Sequence, residues 1–200
     1  MTAIRHDATA RFRAVAIMLS LGLGLGIWMV GQGLYIKAKA EVAQILLERA
    51  WQRTLTSGQP HKAWPWADAW PVARLEIPAS GKSQIVLSNA SGAALAFGPG
   101  HLAGSPLPGS GGTSVIAGHR DTHFSFLRDV KNDDTVIITT TDGLPQRYIV
   151  DATEIVDARH AQIDPGLETG IALVTCYPFD AKERGDLRYI VFATPDDDAI

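Results

Sequence analysis

The chain has 200 residues, 46% of them hydrophobic and 20% charged, and carries a formal net charge of −3. That length suits one folded domain plus an appendage, and the charge balance lacks the basic stripe that nucleic-acid binding requires. A single cysteine, Cys176, excludes an intrachain disulfide framework.

In chain order, residues 1–13 carry Arg5, Arg11 and Arg13, and the segment 14–36, "AVAIMLSLGLGLGIWMVGQGLYI", has no charge. As a helix it measures about 34 Å, enough to cross a bilayer core of about 30 Å. The positive-inside rule places residues 1–13 in the cytoplasm and the rest of the chain on the far side of the inner (cytoplasmic) membrane. Trp28 and Tyr35 suit an interfacial position. A cleavable signal peptide is the alternative, with "AKA" at Ala38–Ala40 as its cleavage site. The apolar run exceeds the usual signal core of about 7–15 residues, so 14–36 is read as a retained anchor. Gly22 and Gly26 form a G-x-x-x-G pair, which a glycine-rich span produces without any dimerisation.

Residues 37–60 read as a helical stalk, with Val42, Ile45 and Leu46 on one face and Glu41, Gln44 and Glu48 elsewhere, ended by "SGQP" at 57–60. On this reading a fragment starting near Gln59 is expected to be soluble and to keep the chain's activity. The entry segment "AWPWADAWPVA" holds Trp64, Trp66 and Trp70. Such a cluster lines a carbohydrate site or forms a packing collar, and the collar is the favoured reading.

Within 61–200, short apolar runs alternate with Gly-, Pro- and Ser-rich turns. Strands are expected at 72–77, 84–87, 94–97, 113–117, 134–140, 147–157, 171–176 and 188–193. Eight short strands with no long helical pattern predict an all-β domain closed as a largely antiparallel barrel, because closure removes exposed edges.

Cys176 ends an apolar strand in "ALVTCYPFD". A lone cysteine is ordinarily a small buried hydrophobe. Nucleophilic catalysis needs in addition a proton partner and a donor to the developing oxyanion. Of the six histidines, His6 precedes the apolar span, His61 lies in the entry segment and His160 in a polar loop. His119 in "TSVIAGHRDTHF" stands where a strand ends, as Cys176 does, and Arg188 opens the next strand after Cys176.

Taken together these residues resemble the sortases, membrane-anchored cysteine transpeptidases, over most of residues 70–195. The family's T-L-x-T-C pattern is met by Leu173, Val174, Thr175 and Cys176, with Ala172 in place of its first threonine. Gly118, His119, Arg120 and Asp121 match its histidine context, and Arg188 in "LRYIVFA" its arginine. The stretches "FGPGHLAGSPLPGSGGTSVIAGHRDTHFSFL", "TCYPFD" and the Trp/Pro entry are most similar to the Gram-negative-type branch, with class D next. The resemblance implies a sortase-type barrel behind a transmembrane helix and short stalk, with no cofactor. The implied partner is a secreted protein bearing a C-terminal LPxTG-like signal, cleaved between Thr and Gly through a thioester on Cys176 and passed to an amine that the sequence does not identify. His119 is the implied acid–base, and Arg188 the fork that orients substrate and stabilises the oxyanion. A free thiol is mostly protonated at neutral pH, so thiolate formation needs such cations nearby. Thr175 is expected to hydrogen-bond behind these three, Asp121 to orient its loop, and His101 to shape a loop or groove.

Two rivals come from other classes. One is a membrane-tethered module that binds a peptide or glycan through its tryptophans. The other is a metallohydrolase with zinc on His119, His123 and Cys176, although Arg120 stands where a zincin would need glutamate. Asp133, Asp134, Glu154 and Asp157 are too scattered to predict calcium.

Overall fold

The computed structural model describes residues 3–196 apart from 165, 167, 168, 182 and 184; the ends of the expected 1–13 and 61–200 segments lie outside the described residues. The chain divides into two compact units, Met1–Val42 and Ala43–Ile200. Helix α1 covers Ala3–Ser57. In the first unit its large apolar side chains from Ile17 to Tyr35 are exposed. Among the described residues this is the one helix long and apolar enough to cross a membrane.

The second unit begins with the last turns of α1, packed on the barrel. Val42 and Ile45, on the face the sequence pattern groups together, are exposed; the buried stripe is Ala43, Leu47, Ala50, Trp51 and Thr54. Both stripes have helical spacing. The alanines in the true stripe weigh little in a hydrophobic pattern, and Trp51 decides the matter by filling the groove. At 1% exposure it clusters with Leu47, Ala69, Ile85, Leu87 and Ala94. Polar contacts fix the same face: Arg74 Nη2 donates to both Glu48 carboxylate oxygens at 2.5 and 2.7 Å, and Gln44 Nε2 donates to the Phe97 carbonyl at 2.7 Å.

The barrel strands are β1 (Pro71–Ile77), β2 (Lys82–Leu87), β3 (Gly100–His101), β4 (Thr113–Ala117), β5 (Thr135–Thr140), β6 (Pro145–Asp157), β7 (Gly170–Cys176) and β8 (Leu187–Pro195). They close in the order β1-β2-β3-β4-β7-β8-β6-β5, so the expected eight-stranded barrel is present. Its pairs are antiparallel except β2 with β3 and β4 with β7. Period-two alternation sorts each strand's side chains. Leu75, Ile77, Val86, Ile116, Ile138, Val150, Leu173 and Val191 fill the interior. Ile85 and Leu87 face outward under α1, while Val115, Ala172 and Ile190 face outward on the far side.

One expected strand is not a strand. Residues 94–97 overlap helix α2 (Gly92–Leu95), whose N-cap Ser91 accepts a hydrogen bond on its Oγ from Ala94 N. Four residues carry no readable period, and a serine cap followed by Gly-Ala-Ala-Leu favours a helical turn. The eighth strand is instead β3, only two residues long. Gly100 is required there, since a Cβ would come within 2.2 Å of the Asn89 carbonyl oxygen. In the entry segment, Trp64 meets Phe97 edge-on at 4.8 Å, as a collar would, but Trp66 is 83% exposed.

Because Trp51 and Leu47 belong to the barrel's packing, the fragment from Gln59 that the stalk reading favoured loses part of its core. Trp51→Ala is expected to cost about 3–5 kcal/mol, read as a lowered urea midpoint. A fragment starting at Val42 should unfold cooperatively, and one starting at Gln59 should be far less stable; equal midpoints for the two would disprove the packing role of this helix.

Candidate active site

The register of three neighbouring strands brings the sequence-selected residues together. Parallel β4 and β7 pair Val115 with Ala172 and Ala117 with Val174. The pairing continues one residue on: Gly118 N donates to the Val174 carbonyl at 3.0 Å, and Thr175 Oγ1 donates to the Gly118 carbonyl at 2.7 Å. His119 and Cys176 each come next, at the same end of adjacent strands. Antiparallel β8 pairs Arg188 directly with Cys176. Cys176 and Arg188 therefore share a rung of β7 and β8, and His119 follows the end of β4 at the same end of the sheet.

Alternation also puts Cys176 and Arg188 on one face. Ile116, Leu173 and Val191 point into the barrel, so Ala117, Val174, Cys176, Arg188 and Ile190 belong to the outer face. That face carries a cavity of about 500 Å³ lined by Val115, Ala117, Val156, Ile163, Val174, Ile190 and Arg188, with Leu102–Ser105 as one wall. Cys176 and Arg188 are half-buried and His119 is exposed. Arg188 Nη1 donates to the Gly185 and Leu187 carbonyls at 2.8 and 2.9 Å.

The supporting residues occupy distinct places. Thr175 is 2% exposed and uses its hydroxyl to hold the backbone just before His119. Gly118 leaves room for Phe124, whose ring a Cβ would meet at 2.7 Å. His101 lies away from the rung in β3; its Nε2 contacts the Pro106 carbonyl at 2.9 Å and Ser105 Oγ at 3.1 Å, fastening the loop that walls the cavity. Asp121 is exposed in the turn after His119. His123 sits against Gln84, with Nδ1 3.2 Å from Oε1, and its ring also bonds the Ala96 carbonyl. Among the described residues no group of three His, Cys, Asp or Glu side chains is placed to hold a metal ion.

The rim is charged and exposed. Arg159 pairs with Asp157 at 2.6 Å and Asp186 at 3.4 Å, and its hydrogen bonds hold the Asp157 carboxyl down to about 2. Sequence reasoning missed Arg120, whose Nη2 donates to the Ala181 and Glu183 carbonyls at 2.6 and 2.8 Å. An arginine in a turn gives no local sign that it will reach backbone more than sixty positions away.

Comparison with known proteins names this arrangement. Residues 75–196 match the family model of the sortase domain, and the chain belongs to the sortase family. Among solved structures, Sortase A from Corynebacterium diphtheriae is 33% identical with a TM-score of 0.56, over 66% of this chain and 63% of that one. A lid mutant of the same enzyme aligns over 78% of this chain and 95% of that one, at 28% identity and a TM-score of 0.57. Sortase C-1 from Actinomyces oris is 28% identical over 62% of this chain and 74% of that one, with a TM-score of 0.53. The chain thus spans somewhat less than two thirds of the first of these. No curated protein matches it.

Burial, helped by the positive charge of nearby His119, holds the His123 pKa below its ordinary 6.5, against the opposing pull of the Ala96 carbonyl and Asp121. The unfolded chain therefore takes up this proton first on acidification. Stability from neutral His123 is present above about pH 6.5 and is lost as pH falls toward the lower folded-state value. Thermal melts between about pH 7 and pH 5 should show a steeper decline for the wild type than for His123→Gln. Parallel slopes would refute this assignment.

Proposed function

We propose that this sortase-family chain is a membrane-anchored cysteine transpeptidase. It cleaves the Thr–Gly bond of an LPxTG-like C-terminal signal on a secreted protein. The observation that supports the reading is the pairing of Cys176 with Arg188, which also lines an apolar cavity, with His119 just past the end of neighbouring β4. An extended peptide with apolar residues before its scissile bond suits such a cavity, because aliphatic side chains gain from burial there while the strand ends supply the polar chemistry.

The Cys176 thiolate attacks the threonine carbonyl carbon, and the carbonyl π electrons move to oxygen. Arg188 donates to that oxyanion or to the adjoining substrate backbone, from a side chain already steadied by the Gly185 and Leu187 carbonyls. Collapse breaks the C–N bond as His119, in its imidazolium form, protonates the departing glycine nitrogen. An incoming amine then attacks the thioester, gives its proton to His119, and releases the thiolate as the new amide forms. Water in place of the amine turns the same cycle into hydrolysis. Thr175 and Gly118 hold the backbone from which His119 projects; His101 shapes the cavity wall.

Residues 14–36 anchor the enzyme in the cytoplasmic membrane, with residues 1–13 inside, and the stretch 37–60, whose last turns pack on the barrel, leads to the catalytic domain of residues 61–200 on the extracytoplasmic side. The arginines before the apolar run and its length support this orientation. Within the family, "AGHRDTHF", "TCYPFD" and the Trp/Pro entry segment favour the Gram-negative-type branch, with class D next.

Incubation with an LPxTG-type peptide should give a Cys176-dependent acyl adduct by intact-mass spectrometry, absent in Cys176→Ala. An adduct persisting in that variant would remove Cys176 from the mechanism. With a fluorogenic form of the peptide, Arg188→Lys is expected to lose about 10²–10³-fold in kcat, nearly as much as Arg188→Ala. A guanidinium presents donors in fixed relative geometry, and an ammonium does not. A lysine variant near wild-type rate would make Arg188 a simple charge.

A further inference from the structure

The loop from Tyr177 to Asp186 joins the strand ending in Cys176 to β8, and it carries the Gly185 carbonyl that receives the Arg188 guanidinium. Its two ends are held locally. Tyr177 and Phe179 pack against Tyr189, with ring centroids 6.3 and 5.2 Å away, and Arg128 lies 5.2 Å over the Phe179 ring. At the other end Tyr177 N donates to the Leu187 carbonyl at 3.0 Å, and Ala158 N to the Asp186 carbonyl at 2.8 Å. The middle is held from across the site. Arg120 spends Nη2 on two alternate carbonyls, Ala181 and Glu183, while its Nη1 is buried without a partner among the described residues.

We infer that Arg120 is a positioning residue, a clamp that sets the loop carrying Arg188 against the turn carrying His119. This rests on the transpeptidase reading above and deepens it. The chain of contacts is continuous. Arg120 is covalently next to His119, its guanidinium fixes the loop at 181 and 183, and two residues farther the Gly185 carbonyl receives Arg188 Nη1. A shift of the loop therefore moves the Arg188 fork relative to Cys176 and His119 together. Arg120 does not itself touch the reacting atoms in this reading. Both of its bonds leave from one nitrogen, and a lysine ammonium also offers several donors at one nitrogen. Lysine should therefore substitute at 120 although it fails at 188.

The test compares wild type, Arg120→Met, Arg120→Lys and Cys176→Ala on the full chain with a fluorogenic LPxTG-type peptide. Arg120→Met should lose about 10–10²-fold in kcat, the scale of a small misplacement of catalytic groups, with KM changed less than about threefold. Arg120→Lys should recover most of that loss. Hydrogen exchange should quicken in the 177–187 amides of the methionine variant and stay unchanged in the barrel strands. Should Arg120→Met not fold, Arg120→Gln, too short to reach both carbonyls, takes its place. A kcat within about twofold of wild type, exchange that rises evenly across the barrel, or a lysine variant as slow as the methionine one each overturns the clamp. Absence of turnover by the wild type overturns instead the transpeptidase reading beneath it, and the Cys176→Ala control assigns any turnover to the thiol.

Discussion

The parallel pairing of β4 with β7 inside an otherwise mostly antiparallel barrel sets the geometry of everything around Cys176. Parallel strands finish at the same end of a sheet, so the residues that follow each of them emerge side by side. They also require a long crossover, which here includes β5 and β6. That is why a histidine and a cysteine far apart in sequence emerge at the same end of the sheet. β8 runs back from the same end, which places its first residues, Arg188 among them, against Cys176. The Thr175 hydroxyl, donating to the Gly118 carbonyl, ties the two parallel strands where their ladder stops.

The outer surface of the barrel is treated in two ways. Over β2 it is covered by the last turns of α1, with Trp51 filling the groove and the Arg74–Glu48 pair at its edge. Over β4, β7 and β8, among the described residues, the Leu102–Ser105 wall and the segment after β6 border an apolar cavity. Equal apolar character on the two faces thus has different outcomes. One is packed and contributes stability. The other leaves a cavity lined by Val115, Val174 and Ile190 beside Arg188, the combination of apolar lining and few placed polar groups that suits a ligand site.

Around that cavity the loops are held mostly by side chains gripping backbone carbonyls. His101 holds Pro106, Arg120 holds Ala181 and Glu183, and Arg188 holds Gly185 and Leu187. A carbonyl acceptor exists at every residue, so such ties place few demands on the identity of the loop residues they hold. The exposed ion pairs of Arg159 add little to this, because water and salt screen them.

The sequence by itself determined the barrel class and most strand positions, since alternation with period two is a local signal. It also determined that Cys176, His119 and Arg188 are the side chains to consider, through a pattern that needs no coordinates. Tertiary structure decided the rest. Residues 94–97 were too short for periodicity to separate strand from helix, and two-residue β3 exists only because Leu87 and Ala117 bracket Gly100. The inward face of α1 was settled by where Trp51 fits, since two stripes of that helix had the same spacing. Arg120 and His123 stand only four positions from His119 or closer, yet their contacts come from partners at 181, 183 and 84. A side chain's chemistry is written in its own letter, but its partner is chosen by the fold, and long-range partners leave no mark on the neighbouring sequence.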